Sequence, residues 1–465
     1  MTLLSVESPY HGGTVGTLPM DDMASLEVKL ARGYSIARDQ AQQMSIPDRV
    51  AVLSRLSGIM RSRREELALL IANEGGKPLR DALVEVDRAA DGVGLCIEHI
   101  KADVGARIPI ATNEMSAGRL AFTQKAPIGL VAAVSAFNHP LNLIVHQVAP
   151  AIASGCPVIV KPAPDTALSC AAFMEMLQEA GLPEGRGQIL ITQALDVAEA
   201  LVTDARLAFF SFIGSANVGW MLKNKLAPGV RCALEHGGAA PVIVCEDADF
   251  DKMLPALVKG GFYHAGQVCV SVQRVFVPAA QLDEFVEGFV AEVAKLKVGD
   301  PTLEETDVGP LIRVNEVARV QEWVDLAKAG GAQCPIGGHA ISERVFAPTV
   351  LVNPAADALV STKEIFGPVV CVYSYDEVAE AIEIANSLPV AFQAAVFTES
   401  IDVGLAMSRA LDASAIMIND HTAFRDDVMP FAGLRQSGLG VGGIPHTIED
   451  MQFEKMTVIK SASLP

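Results

Sequence analysis

A cysteine and a glutamate, each close to glycine, are the residues of this chain best suited to covalent chemistry. Cys269 ends the segment FYHAGQVC, and Glu235 stands in the segment LEHGG. A thiolate can attack an electrophilic carbon, and a carboxylate with a raised pKa can then activate water. Taken alone, Cys269 fits a small buried hydrophobe and Glu235 a strand-end surface residue equally well. The pair therefore indicates a nucleophile with a separate base only if other residues support it.

Three further positions follow expected strands, at the ends where ligands bind in open α/β sheets. Asn138 could donate a hydrogen bond to an oxyanion, or it could cap the following helix. Lys161 could hold ribose hydroxyls or a phosphate, or it could be a solvated lysine. Gly214-Ser215 could seat a pyrophosphate at a helix N-terminus, although the segment does not have the GxGxxG pattern of a dinucleotide fingerprint.

The elements that must position these residues alternate between short apolar runs and helical stretches. The chain up to about residue 100 is predicted to be helical, and a short β-hairpin follows at 106–111 and 119–124. Two series of strands separated by helices then predict doubly wound parallel sheets. The tail Met451–Lys460 is predicted to be a strand with no local partner, of the kind that completes a neighbouring subunit's sheet.

Composition narrows the class of protein. The chain has 465 residues, half of them hydrophobic, which suggests two or three domains with large cores. A formal net charge of −19 opposes binding to nucleic acid or to an anionic membrane. We find no signal peptide and no apolar run of the roughly 20 residues that a membrane helix needs. Eight scattered cysteines without a CxxC pair indicate reduced thiols, a cytoplasmic location and no metal site.

Taken together, these motifs resemble those of the aldehyde dehydrogenase superfamily over nearly the whole chain. The pattern Phe-x-x-x-Gly-Gln-x-Cys matches the family's nucleophile at Cys269, and Glu-x-Gly-Gly matches its general base at Glu235. The asparagine before a turn proline matches at Asn138. The cofactor motifs also follow in the family's order: Lys161 for the adenosine ribose, Gly214 and Ser215 for the pyrophosphate, Glu364 for the nicotinamide ribose and Phe366 beside the ring. The segments Pro430–Gly433 and Ser437-Gly438 resemble the family's closing segment.

The resemblance implies an α/β protein with the aldehyde dehydrogenase fold. A doubly wound, parallel-sheet dinucleotide-binding domain would occupy residues 1–105 and 125–236. An α/β catalytic domain would occupy 237–446, and a small β oligomerisation element 106–124 and 447–465. The resemblance also implies NAD or NADP as the cofactor, and a homodimer or homotetramer.

The mechanism that it implies begins with attack of the Cys269 thiolate on an aldehyde carbon. The Asn138 amide and the Cys269 backbone N–H would hold the oxyanion, hydride would pass to the nicotinamide, and Glu235 would activate the water that hydrolyses the thioester. Two alternatives stay open. A CoA-acylating semialdehyde dehydrogenase generally lacks the base that Glu235 supplies, and a non-catalytic protein that keeps the fold would not need these residues intact.

Three departures from the family pattern bear on the cofactor and on Glu235. Pro164 stands where many NAD-preferring relatives carry an acidic residue, so nothing there repels a 2′-phosphate and the choice between NAD and NADP is open. His236 replaces an apolar residue and is expected to pack away from Glu235, since neighbours on a strand face opposite sides. Val441-Gly442 stands where Arg-Glu is more usual, which puts the support from that stretch in doubt.

The segments around His139 and Arg425 resemble those of a subgroup that acts on small anionic aldehydes and includes phosphonoacetaldehyde, sulfolactaldehyde and semialdehyde dehydrogenases. Arg88 lies on a helix that lines the same tunnel in relatives. Arg88, His139 and Arg425 together would bind a carboxylate, sulfonate or phosphonate. Arg88 could instead be an ordinary surface residue, and Arg425 could pair with a neighbouring aspartate. Val268 stands where phosphonate-binding relatives can carry an arginine, which favours a carboxylate or sulfonate.

Overall fold

The computed structural model describes residues 2–464, which fold around two mainly parallel sheets. The elements up to the last parallel strand of the first sheet are β1 (Leu3–Glu7), β2 (Thr14–Pro19), α1 (Met23–Arg38), α2 (Ile46–Ser62), α3 (Arg64–Gly75), α4 (Leu79–Ala102), β3 (Ala106–Ile108), β4 (Arg119–Pro127), β5 (Leu130–Val134), α5 (Asn142–Ser154), β6 (Val158–Lys161), α6 (Ala167–Glu179), β7 (Gly187–Ile189), α7 (Leu195–Thr203), β8 (Leu207–Ile213), α8 (Ala216–Lys223) and β9 (Arg231–Glu235).

The second half of the chain builds the second sheet and then returns to the first. Its elements are β10 (Ala240–Val244), α9 (Phe250–Phe262), β11 (Val272–Pro278), α10 (Leu282–Val293), α11 (Val314–Ala329), β12 (Gln333–Ile336), β13 (Thr349–Val352), α12 (Leu359–Thr362), β14 (Val369–Tyr375), α13 (Val378–Asn386), β15 (Val390–Ala391), β16 (Gln393–Phe397), α14 (Ile401–Ala410), β17 (Ala415–Ile418), β18 (Leu434–Arg435), β19 (Gly438–Leu439), α15 (Ile444–Asp450) and β20 (Gln452–Lys460).

The first sheet has the strand order β19-β9-β8-β5-β6-β7, and all its pairings are parallel except that of β19 with β9. Helices α2, α4, α5 and α6 contribute to the core on one face, and α1 and α7 to the core on the other. Because both faces are covered, the central strands are apolar without alternation, as LVAAV in β5 illustrates.

The second sheet has the order β12-β13-β14-β11-β10-β16-β17 and is parallel except at the β12 edge. Helices α9, α10 and α11 share the core on one face, and α13 and α14 pack against the other. The predicted doubly wound α/β architecture is therefore confirmed. The domain boundaries stay a prediction, and β19 crosses from the second half of the chain to pair beside Glu235 at the edge of the first sheet.

The start of the chain is not helical, which corrects the sequence-based prediction. β1 and β2 form an antiparallel hairpin that precedes α1. Leu4 and Val6 alternate with exposed residues and are buried against Ala167 and Ile191. This two-residue period is the mark of a half-buried strand, and the helical periodicity that follows it obscured so short a signal.

The tail strand has no partner near it in the sequence, but it is not an orphan, because its partner lies more than three hundred residues away in the same chain. β20 pairs antiparallel with β4 over nine positions, from Gln452 opposite Pro127 to Lys460 opposite Arg119, and β3 pairs with the other side of β4. The Ile128 N–H donates to the Met451 carbonyl, which anchors the start of this pairing. The outer edge of β20 is exposed, and the proposed role of this sheet in oligomerisation stays a prediction.

None of the helices within residues 2–464 combines the length and apolar character needed to cross a membrane. The same part of the chain contains no group of three or more His, Cys, Asp or Glu side chains placed to hold a metal ion.

Candidate active site

A cavity of about 810 Å³ opens where the carboxyl ends of the first sheet's strands meet the loops of the second sheet. All eleven residues singled out from the sequence line it, although they are spread over more than three hundred positions. They are Arg88, Asn138, His139, Lys161, Gly214, Ser215, Glu235, Cys269, Glu364, Phe366 and Arg425. Such convergence follows from parallel strand order, because the ends of neighbouring strands lie side by side.

Cys269 is presented by a constrained turn at the end of α9. His264, Ala265 and Gly266 all have positive φ values, of 48°, 55° and 70°. A Cβ on Gly266 would lie 2.1 Å from the Gly367 carbonyl oxygen, so only glycine fits there. The Gln267 side chain anchors the turn by accepting from the Ile312 N–H at 2.9 Å.

The surroundings of Cys269 favour the protonated thiol over the thiolate. Burial, the carboxyl group of Glu364 and that of Glu235 all raise its pKa well above the ordinary value for a thiol. Since only the thiolate is a good nucleophile, a proton must leave Cys269 before attack. Glu235 and Glu364 are the nearby groups whose charge sets the cost of that step.

Glu235 ends β9 and faces the cavity, where it is partly exposed to the cavity rather than to bulk solvent. Burial raises the pKa of its carboxyl group to about 7, with Arg425 opposing the rise. Such a pKa suits a general base at neutral pH. A Cβ on Gly442 would lie 2.3 Å from the Glu235 Oε1 atom. Gly442, where the family usually has a larger residue, therefore leaves room for this carboxylate.

Asn138 is buried in the loop that follows β5, and it lies beside the nucleophile loop. Its Nδ2 donates to the Gln267 carbonyl oxygen at 3.0 Å. An amide nitrogen carries two hydrogens, so one N–H remains to meet an oxygen in the cavity. The contact with Gln267 also fixes Asn138 relative to Cys269.

The other end of the cavity has the features of a dinucleotide site. Lys161 projects from the end of β6, where burial lowers the pKa of its ammonium group and its Nζ donates to the Pro162 carbonyl at 3.1 Å. Gly214 and Ser215 immediately precede α8 and line the cavity, where the first turn of a helix leaves backbone N–H groups without partners inside the helix. These positions could hold the adenosine ribose and the pyrophosphate.

The nicotinamide end would lie near Glu364 and Phe366. The Glu364 Oε1 atom is buried without a partner, and burial raises the pKa of this carboxyl group to about 8. Phe366 has a positive φ of 49° and meets Phe137 edge-on, with ring centroids 5.7 Å apart. A carboxyl group without a partner beside an aromatic wall fits a ligand with hydroxyl groups and a flat ring.

His236 packs away from Glu235, as expected. Its ring lies between Phe212 and Trp220, and its Nδ1 lies 2.8 Å from the Gly214 carbonyl oxygen. Because a carbonyl only accepts, Nδ1 carries the hydrogen of this bond. His236 therefore fastens the Gly214 turn at the pyrophosphate end, a role that its position in the sequence did not reveal.

Asp165, the residue after Pro164, is held by an arginine from the other half of the chain. Arg313 binds it through both guanidinium arms, with Nε 2.8 Å from Oδ1. The Arg313 guanidinium thus balances the negative charge of Asp165, the carboxylate that follows Pro164 in the sequence. This ion pair also joins the loop after β6 to the start of α11, across the cavity.

The three predicted anion-binding residues have different surroundings. Arg88 binds Asp427 through two hydrogen bonds, of 2.6 and 3.1 Å, so its charge is balanced. Arg425 forms no ion pair within residues 2–464; its Nη1 donates to the Met429 carbonyl at 2.6 Å, and its Nη2 is buried without a partner. The Nδ1 of His139 lies 2.7 Å from the Nζ of Lys77.

Several contacts around these residues were not predicted from the sequence. His146 joins Asp427 at 2.9 Å, and Lys77 and Glu85 form a buried ion pair below His139. Glu85 and Arg88 lie three residues apart on α4, so helical spacing could have placed them on one face. The remaining partners are far apart in sequence, and no local pattern joins them.

Comparisons with known proteins bear on the family and the fold of the chain. The model of the aldehyde dehydrogenase family matches residues 2–457. A 3-sulfolactaldehyde dehydrogenase of Priestia aryabhattai is 37% identical over 430 residues, which cover 92% of this chain and 90% of that protein. A structure of glyceraldehyde-3-phosphate dehydrogenase from Methanocaldococcus jannaschii, complexed with NADP, superposes with a TM-score of 0.93 at 33% identity and covers 98% of this chain and 99% of the other.

A second structure carries a bound product. Aldehyde dehydrogenase 21 of Physcomitrella patens, in complex with succinate, superposes with a TM-score of 0.94 at 33% identity and covers 99% of this chain and 96% of the other. These matches span almost the whole chain, and they confirm the expected fold and superfamily. The chain belongs to the aldehyde dehydrogenase family.

Proposed function

We propose that this protein oxidises a small aldehyde bearing one singly charged anionic group to the carboxylic acid, with NAD or NADP as electron acceptor. The observation that carries the proposal is the guanidinium group of Arg425. It lines the same cavity as Cys269 and Glu235, and it has no carboxylate partner within residues 2–464. The half-buried guanidinium packs over the Phe431 ring, and its Nη2 atom is buried without a hydrogen-bond partner. An unsatisfied buried donor is costly, and an anionic substrate would offset that cost.

The charge count at this end of the cavity favours a monoanion. Asp427 balances Arg88, and His139 lies beside an ammonium group that opposes its protonation, so only Arg425 offers an unbalanced positive charge. A carboxylate or sulfonate matches one guanidinium, whereas a phosphonate dianion would need a second cation. Arg88 then acts by shaping the wall and holding Asp427. The relatives named for sulfolactaldehyde and crystallised with succinate support this substrate class.

In the proposed reaction, the Cys269 thiol releases its proton to solvent, and its sulfur forms a bond to the aldehyde carbon. The free N–H of Asn138 and the Cys269 backbone N–H hold the oxygen as its negative charge develops. NAD(P)+, when bound, supplies the hydride acceptor, and a thioester on Cys269 remains. Glu235 takes a proton from water, which attacks the thioester carbon and releases the acid and the thiol.

The residues at the other end of the cavity would bind the cofactor. Lys161 would hold the adenosine ribose, Gly214 and Ser215 the pyrophosphate, and Glu364 the nicotinamide ribose, with Phe366 beside the ring. Pro164 presents no carboxylate, and Arg313 balances that of Asp165, so a 2′-phosphate would meet little repulsion. We therefore expect NADP to be accepted as well as NAD.

The test compares an anionic with a neutral aldehyde. Arg425→Ala should raise KM for succinic semialdehyde by about ten- to a hundredfold, because a charge-assisted hydrogen bond is lost, and change KM for butanal by about twofold or less. Arg409→Ala is the matched control, since it removes an exposed arginine of α14 that lies outside the cavity. Equal effects of Arg425→Ala on both aldehydes would refute the substrate class. Accumulation of acyl-CoA when CoA is added would instead favour the acylating alternative.

A further inference from the structure

A fully buried lysine lies beneath the substrate end of the cavity and has no part in the reaction proposed above. Lys77 precedes α4 and is 0% exposed, and its Nζ contacts the carboxylate of Glu85 and the imidazole of His139. His139 in turn lines the cavity, while Lys77 and Glu85 do not. The three side chains thus form a short polar chain that ends at the substrate.

The charge of Glu85 is fixed from the protein side. Its Oε1 accepts from the backbone N–H groups of Leu141 and Asn142, at 3.0 and 3.1 Å, at the start of α5. Burial alone would raise the pKa of Glu85, but the Lys77 ammonium beside it outweighs that effect and holds the pKa well below its usual range. A buried carboxylate therefore needs one compensating cation beside it.

Either Lys77 or His139 could carry that positive charge. Both are buried in the same environment, so desolvation does not separate them strongly. The unperturbed pKa of lysine exceeds that of histidine by about four units, which places the proton on Lys77. Burial and the neighbouring Lys77 ammonium lower the pKa of His139 to about 4, in agreement with a neutral ring.

The position of the hydrogen on His139 then follows from the distances. The Nδ1 atom lies 2.7 Å from Lys77 Nζ and 3.5 Å from the Glu85 carboxylate. An ammonium group can only donate, so Nδ1 must accept, and the ring hydrogen is on Nε2. Nε2 has no hydrogen-bond partner among the side chains of residues 2–464, and the ring faces the cavity.

We propose that Lys77 is a positioning residue that fixes His139 as the neutral tautomer with its hydrogen on Nε2. His139 then presents a hydrogen-bond donor to one oxygen of the substrate's anionic group and adds no charge. This donor does not require the ring to be protonated. The effect on the substrate rests on the function proposed above, whereas the tautomer itself does not.

The other side chains that face His139 do not fix the position of its ring hydrogen. Tyr263 stacks on the ring with centroids 6.0 Å apart, and His264 lies 6.4 Å away. Burial raises the pKa of Tyr263 and lowers that of His264, so both are neutral. Arg88, on α4, carries a charge that opposes protonation of His139.

Nitrogen NMR of histidine-labelled protein tests the tautomer directly, with His139 assigned by its loss in His139→Ala. The wild-type spectrum near neutral pH should show the hydrogen on Nε2. In Lys77→Met, Glu85 becomes the partner of Nδ1, so the hydrogen should move to Nδ1 and the ring should become protonated at higher pH. Lys259→Met is the matched control, because Lys259 approaches the same Tyr263 ring and pairs with Asp81 without contacting His139.

A wild-type ring with its hydrogen on Nδ1, or a charged ring, would overturn the proposal. So would an unchanged tautomer in Lys77→Met. If Lys77→Met does not fold, the wild-type spectrum decides the question without it.

Kinetics test the consequence for the substrate. The ratio of KM for succinic semialdehyde to KM for butanal should be flat from about pH 6 to about pH 9 in the wild type, and rise by about tenfold over that range in Lys77→Met as the charged donor is lost. The ratio removes the effect of Glu235 titration, which both aldehydes share. The expected NMR result combined with a flat ratio in Lys77→Met would support the tautomer and contradict the placement of His139 against the substrate.

Discussion

Replacing Glu235 by glutamine should separate the two halves of the reaction. Glutamine keeps the size of the side chain but cannot take a proton from water. Loss of a general base costs about a hundred- to ten-thousandfold in rate, so steady-state turnover should fall by that factor. Bond formation at Cys269 and the hydride step do not need Glu235, so a burst of about one NAD(P)H per active site should remain.

The pH dependence follows from the pKa of about 7 at Glu235. Below that pH the carboxyl group is mostly protonated and inactive as a base, so wild-type kcat should fall by about tenfold per pH unit. Above it, kcat should level off. Stopped-flow and steady-state NAD(P)H absorbance measure both quantities. A Glu235→Gln variant without a burst, or with wild-type turnover, would refute the assignment of roles.

Stability gives a second measure of the same pKa. Raising the pKa of Glu235 from 4.5 to about 7 means that the folded protein resists ionisation by on the order of 3 kcal/mol. A carboxyl group with a raised pKa binds more protons in the folded than in the unfolded state between these values, so stability falls as pH rises through them. Glu235→Gln should therefore melt at a higher temperature than the wild type near pH 8, and the gap should close near pH 5.

Two further substitutions test the space around the site. Gly442→Ala places a Cβ 2.3 Å from Glu235 Oε1, so it should lower kcat by about tenfold or more while preserving the burst; Gly58→Ala on α2, with open space around it, is the control that should leave kcat unchanged. Pro164→Glu restores a carboxylate beside the adenosine ribose and should raise KM for NADP by about tenfold with little change for NAD; comparable changes for both cofactors would contradict the placement of the 2′-phosphate.

The sequence predicted the fold and the membership of the cavity because both depend on local signals. Apolar runs such as β5 identify buried parallel strands, and Asn138, Lys161 and Glu235 follow such runs directly. The common edge of the sheet then brings them together. The segment before Cys269 was also informative, because Gly266 is required by its positive φ and by the nearby Gly367 carbonyl.

What the sequence did not predict depends on contacts between distant residues. The pairing of β20 with β4 joins segments more than three hundred residues apart, and it goes with the packing of α15 on α5. The partners of Arg88 and His139 are set by side-chain positions in a packed interior. A sequence pattern can indicate that Arg88 binds an anion, but it does not show that Arg88 already forms an ion pair with Asp427.

Both carboxyl groups beside the nucleophile rest against glycines. Gly442 lies against Glu235, and a Cβ on Gly237 would fall 1.6 Å from the Glu364 Oε1 atom. Substitutions that remove atoms from the cavity wall should therefore reduce activity less than substitutions that add a single methyl group at these two glycines. Random mutagenesis selected for activity should retain both glycines, even where larger neighbours such as Val218 vary.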